Sequence, residues 1–263
     1  MPLCKDPFLS HLKGIGANVV YPPRSTLNPL ELMLKKRRTL ERWGDTTGAF
    51  VSTEPVPEIK SKVTIDSFKG NRSVTHDVSI GLTLLKTILT QLGASTVGIK
   101  ASYKNAKRIS FVYDGITSEF CDGLDLDKYF TNAHLDAGIS TQKYLQSDSL
   151  YVVSEVFKSN KLLVVAMDEN NQSLEIDVPL IEMVGEGNVK VSKDSAQEST
   201  VVYEGEVGLT FGMNALKIDY KSDGDKPRFE LVPAKARSTV RGKSTKSKEY
   251  HRLQNDRQYD ISL

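Results

Sequence analysis

The sequence predicts an α+β fold, a twisted antiparallel β-sheet flanked by several helices. Three observations predict it. Runs of residues that alternate by two, apolar against polar, fill much of the chain from residue 97 onward. The links between some of these runs, such as Lys158-Ser159-Asn160, are too short for parallel crossovers. One stretch before them recurs instead at helical spacing. With 263 residues, 39% of them hydrophobic, the chain can bury a real core, and whole-chain disorder is not expected. No run of 18 residues lacks a charge, so no transmembrane helix is expected and the chain should be soluble as made.

The elements follow in order. Asp6-Pro7 ahead of Phe8, Leu9, Leu12 and Ile15 suits a helix with proline in its first turn, ended by Gly14 and Gly16. Residues 18–21 read as a short strand that Pro22 and Pro23 break. With Asn28 as N-cap and Pro29 at the first helical position, Leu30, Met33, Leu34, Leu40 and Trp43 lie near one side of an amphipathic helix. Its basic residues are Lys35, Lys36, Arg37, Arg38 and Arg42. Residues 53–57 form a proline-containing loop, and residues 62–68 alternate weakly. Val78, Leu82, Leu85, Leu89 and Leu92 mark a helix closed by Gly93. Val97, Ile99, Ala101 and Tyr103 then alternate, as do Ile109, Phe111 and Tyr113, and a loop at Asn105-Ala106 would join the two runs as a hairpin. Further strands are expected at 150–157, 161–167, 173–178, 200–211, 215–220 and 228–232.

From residue 233 to 248 the composition turns to Lys, Arg, Ser, Thr, Gly and Ala, which cannot offset its own ordering entropy and predicts an exposed linker. Between 235 and 252 seven basic residues (Lys235, Arg237, Arg241, Lys243, Lys246, Lys248, Arg252) and one acid (Glu249) give a local charge of +6, leaving −4 for the rest of a chain whose total is +2. Apolar residues return at Tyr250, Leu253, Tyr259, Ile261 and Leu263, enough for a tail to dock back on the body. The expected organisation is a body at 1–233, a linker at 234–249 and a terminal peptide at 250–263.

No enzyme motif stands out. No glycine-rich loop ends in Gly-Lys-Ser/Thr, and Gly14-Ile15-Gly16 lacks the third glycine that dinucleotide binding needs. His11, His76, His134 and His251 are dispersed, so neither a metal site nor a cofactor is assigned. Cys121 sits among acids in Glu119-Phe120-Cys121-Asp122, which disfavours a thiolate. Two cysteines are too few for a disulfide framework, and with no secretory signal core the expected compartment is the cytoplasm.

Three features point toward a membrane, each with an ordinary reading beside it. Cys4, between Leu3 and Lys5, has the apolar and basic neighbours of S-acylated cysteines, although an unmodified cysteine there is the commoner case. The basic helix suits an anionic leaflet, where lysines and arginines contribute roughly 1 kcal/mol each, and equally suits a solvated face. A membrane β-strand needs roughly 9–11 alternating residues, and the two runs of the 97–114 hairpin come near that length; soluble sheets share the pattern.

Leu3-Cys4-Lys5-Asp6-Pro7, Leu12-Lys13, Gly16, Asn18-Val19-Val20, Pro23-Arg24 and Pro29-Leu30 together resemble the opening of the bacterial gasdermins. The β-rich body and short tail after a basic segment match as well, and the large C-terminal repressor domain of the animal gasdermins has no counterpart. The resemblance implies a pore-forming protein and no enzyme: a cytoplasmic, autoinhibited monomer in antiphage defence. A caspase-like or trypsin-like protease would cut near Arg237, Arg241, Lys243, Lys246 or Lys248 and release the inhibitory peptide of Tyr250, Leu253, Tyr259, Ile261 and Leu263. The body would then bind anionic lipids, insert β-hairpins into the inner membrane and form a homo-oligomeric ring. It also implies a covalent palmitoyl on Cys4. The alternative from composition is a nucleic-acid-binding protein using residues 235–252; the acidic body and the lack of aromatic-basic interleaving weigh against nucleic acid as a partner.

Overall fold

The computed structural model describes residues 12, 17–36, 39–63, 74–176, 189–194, 199–221 and 228–233. In chain order these form β1 (Asn18–Arg24), β2 (Glu31–Lys36), β3 (Thr39–Asp45), a 3-10 turn (Thr46–Gly48), β4 (Phe50–Ser52), β5 (Ile59–Val63) and β6 (Val74–Asp77). Then come α1 (Val78–Gln91), α2 (Ile99–Ser102), β7 (Arg108–Asp114), β8 (Thr117–Cys121), α3 (Gly123–Thr131), β9 (Ala133–Leu135) and α4 (Ile139–Gln146). The last are β10 (Leu150–Met167), β11 (Ser173–Leu174), β12 (Val189–Lys193), β13 (Thr200–Lys221) and β14 (Arg228–Pro233). The expected α+β class with an antiparallel sheet is what the backbone adopts.

Two long strands, β10 of 18 residues and β13 of 22, pair antiparallel along their length and form the spine of a 12-stranded sheet. The far edge of β10 carries β2, β8 and β7 in tandem, backed in turn by β3, β5 and β6. The far edge of β13 carries β12, β1 and β14 in tandem. Each side chain step switches face. At one end of β10, Leu150 and Val152 join a core with Leu126 and Phe130 of α3, while Tyr151 and Val153 join another with Val20, Leu27 and Met33. At the other end Leu162, Val164 and Ala166 lie under α1.

Five sequence-based expectations fail, each for a physical reason. Strand β1 does not stop at Pro22 and Pro23 but runs through them to Arg24, since its pairing with β13 shifts register between Val19 and Arg24, where prolines cost no ladder hydrogen bond. The basic amphipathic helix is instead the β2–β3 hairpin: Leu32, Met33 and Leu34 are all buried because β2 is covered on both faces, and a short continuous apolar run has no period that separates strand from helix. The 97–104 strand is a turn followed by α2. Gly98 at φ 83° starts that turn, and Ile99 and Tyr103, buried together, are i and i+4 neighbours as well as same-face strand positions. Strand 108–114 exists, but its partners are β6 and β10. Finally, Lys158-Ser159-Asn160 is no turn. It is a shifted register within β10, and likewise 200–211 and 215–220 form one strand.

Candidate functional site

Opposite α1, three strands present one apolar surface: Ile109 and Phe111 of β7, Leu162, Val164 and Ala166 of β10, and Val201, Tyr203 and Leu209 of β13. Paired register makes it continuous, since Phe111 faces Val164, which faces Val201. Helix α1 covers it with Leu84, Leu85, Ile88 and Leu89 and turns Ser79, Ile80, Thr83, Lys86, Thr90 and Gln91 outward. It sits close. A Cβ added to Gly81 would lie 2.8 Å from Ile109 Cβ, and one added to Gly205 of β13 would lie 2.8 Å from Leu92 Cδ2. The layer continues through α2 to Tyr103, whose hydroxyl oxygen is 3.1 Å from that of Tyr203. Burial raises both phenols, Tyr103 well above the usual tyrosine range and Tyr203 up to about 12.

Where the spine strands change register, polar side chains fill the gaps. Lys158 Nζ donates to Glu119 at 2.6 Å and to Asn28 Oδ1 at 2.9 Å, and Glu155 accepts from Ser118 at 2.6 Å and Asn214 at 2.8 Å. Lys161 pairs with Asp114 at 2.9 Å and, with the Gly115 N–H, holds that carboxyl below the usual carboxylate range. These groups hold the middle of β10 and leave the apolar surface free of charge.

The expected membrane-inserting residues are thus split. Ile109 and Phe111 are fully buried under α1, Tyr113 stacks on Phe211 with centroids 4.8 Å apart, Ile99 and Tyr103 are buried in the covering layer, Ala101 is exposed, and Val97 is 74% exposed on the turn before α2. Of the basic set, Lys36 pairs with Glu41, and Arg42 pairs with Glu31 at 2.9 Å and Asp45 at 3.7 Å. Burial raises the Glu31 carboxyl despite Arg42 beside it. Lys35 is half-buried on β2 and its N–H donates to the Ser149 carbonyl. Beside them Trp43, 40% exposed, donates its indole N–H to Thr141 at 3.1 Å and meets Tyr144 edge-on at 4.8 Å. Arg37, Arg38, Cys4, the cleavage residues Arg237, Arg241, Lys243, Lys246 and Lys248, and the tail residues Tyr250, Leu253, Tyr259, Ile261 and Leu263 lie outside the described residues.

Sequence reading missed the covering role of α1 and all of α3 and α4. The signal for α3 was present: Asp122 caps Leu124 N–H at 2.9 Å, and Leu126, Tyr129 and Phe130 follow at helical spacing. Cys121 is not an activated thiol, because burial, with Asp125 nearby, pushes it up to about 11. Among the described residues no group of His, Cys, Asp and Glu could hold a metal ion, and no helix is long and apolar enough to cross a membrane.

A model of the Bacterial Gasdermin Family matches residues 20–225. The gasdermin bGSDM of Vitiosangium sp. (strain GDMCC 1.1324) is 33% identical over 226 residues, 84% of this chain and 84% of that one. The gasdermin bGSDM of Lysobacter enzymogenes is 32% identical over 225 residues, 84% and 83% of the two chains. That of a Desulfuromonadales bacterium is 31% identical over 220 residues, 82% and 83%. The structure of a bacterial gasdermin from Bradyrhizobium tropiciagri shares the fold, with a TM-score of 0.60 at 15% identity, covering 88% of this chain and 92% of that chain.

Proposed function

This chain belongs to the bacterial gasdermin family, a family of pore-forming proteins, and from that premise we propose that it is the autoinhibited precursor of a membrane pore. Removal of the peptide at 250–263 by a caspase-like or trypsin-like protease frees the body, which oligomerises, inserts β-hairpins into the inner membrane and kills the cell in antiphage defence. One observation carries this reading: a continuous apolar sheet surface on β7, β10 and β13 lies hidden beneath a helix whose other side is exposed. Once α1 and α2 lift, that surface faces lipid.

Strand length supports the route. A membrane strand takes roughly 9–11 residues, and β10 and β13, with 18 and 22, exceed it and keep residues in the body. In a bilayer every backbone group needs a partner, and a closed ring of such strands supplies one. The tandem strands β5 and β6, and β12 on the other side, are edges through which neighbouring copies can pair. While the linker is intact the peptide's docking is intramolecular and gains from a high effective concentration, and scission removes that gain.

Targeting combines two weak signals. One acyl chain on Cys4 binds membranes only marginally, so a second attraction is needed. The β2–β3 hairpin offers Lys35, Lys36 and Arg42 toward anionic lipids, with Lys36 and Arg42 partly neutralised by their acidic partners, and Arg37 and Arg38 add to the basic run in the sequence. The test compares the full chain with one ending at Pro233 on dye-loaded anionic liposomes. Leakage by the shorter chain alone is expected, and equal behaviour of the two would refute the proposal.

A further inference from the structure

Among the described residues, one side-chain hydrogen bond joins the covering layer to the apolar surface of the sheet. Tyr103, just after α2, and Tyr203, on β13, stand 100 positions apart in the chain and join their hydroxyls at 3.1 Å within a single apolar cluster. Tyr103 is 2% exposed and Tyr203 0%, and among the described residues neither hydroxyl has another hydrogen-bond partner. Resting on the reading of α1 and α2 as a lid, we propose that these two hydroxyls form a latch within the body, which holds the lid closed independently of the C-terminal peptide.

Position on the sheet supports it. Gly205, which receives Leu92 at close range, is two residues from Tyr203 on the same strand and so points to the same face. The connection from Leu92 to Tyr103 is therefore pinned at both ends, by a side chain in a glycine notch at one and by a hydrogen bond at the other. Between those pins Ala94 and Ile99 pack into the same core, while Val97 and Lys100 are exposed and α2 is a single turn, so the tyrosine pair is the polar anchor of a connection otherwise held by apolar packing. Because burial keeps both phenols protonated far above neutral pH, the latch does not respond to ordinary changes in acidity. Scission of the linker would then remove one restraint and leave a second, so that cleaved monomers wait for a membrane or a neighbour before opening.

The pair has a distinctive energetic signature. A buried hydrogen bond adds a modest net stability, and removal of one partner alone costs more than that, because it leaves the other hydroxyl buried and unsatisfied. Tyr103→Phe and Tyr203→Phe should each loosen the lid, and the double variant should leave it looser than the parent but no looser than either single variant. The experiment is amide hydrogen exchange by mass spectrometry on the full chain, following the peptides that cover 92–107 and, as a reference, α3. Each single variant is expected to speed exchange over 92–107 by on the order of tenfold with α3 unchanged, and the double variant to remain about threefold faster than the parent. Unchanged single variants, a double variant that exchanges as slowly as the parent, additive effects in the double variant, or equal acceleration in α3 would each overturn the latch. Liposome leakage by the chain ending at Pro233 is read separately: a body that never permeabilises liposomes refutes the pore and leaves the exchange result to decide the latch.

Discussion

Replacing Gly81 with valine tests how closely α1 must sit on the sheet. A Cβ at this position would lie 2.8 Å from Ile109 Cβ, where ordinary contact begins near 3.4 Å, and Ile109 Cβ is fixed to the β7 backbone and cannot swing aside. The helix must move by at least about half an ångström, or β7 must. Overpacking of this kind costs about 1–3 kcal/mol, while valine regains only roughly 0.3–0.5 kcal/mol of helix propensity over glycine. The net loss is about 0.5–2.7 kcal/mol, and for a domain of this size each kcal/mol lowers Tm by about 2–4 °C. Thermal unfolding of the full chain by circular dichroism should therefore show a fall of about 1–11 °C. Gly123→Ala serves as the counterpart, since nothing lies within 4 Å of a Cβ there and no loss is expected. Equal Tm values for Gly81→Val and the parent would refute the close seating of α1.

Two further outcomes are expected. The Asp114 carboxyl is held below its usual range by Lys161, so the stabilisation it gives is present above the unfolded carboxylate pKa and is lost as pH falls through the lower, folded value. Asp114→Asn should lower Tm slightly at pH 7, by about 1–2 °C because the pair is half exposed, and the difference from the parent should vanish as pH falls through the lowered folded value. Cys4→Ala should reduce leakage by the chain ending at Pro233 without changing Tm, and intact-mass spectra of parent protein from bacterial cells should carry an acyl adduct that this variant lacks.

Helix α1 was legible because its leucines hold a helical period over four turns, which no strand can imitate. The run from Val97 to Tyr103 was not. Over so few residues Ile99 and Tyr103 satisfy both periods, and only the left-handed Gly98 and the exposure of Ala101 distinguish them. The β2–β3 hairpin failed for the converse reason, burial on both faces erasing alternation at Leu32 to Leu34. Lys158 and Asn160 read as turn residues locally. In the fold their polar groups are satisfied by Glu119, Asn28 and the Gly205 carbonyl, partners that only the sheet brings near. The Tyr103–Tyr203 pair lies beyond any local pattern for the same reason.

The most direct measurement locks α1 to the sheet. Leu92 Cβ lies 3.5 Å from the Cβ that Gly205 would carry, within the range a disulfide spans, so cysteines placed by Leu92→Cys and Gly205→Cys should join on oxidation. In the chain ending at Pro233, a lid that must lift to release the β-strands gives no liposome leakage while the bridge is closed and full leakage once it is reduced. Equal leakage in the oxidised and reduced states would show that the pore forms with α1 still in place and would contradict the proposed opening.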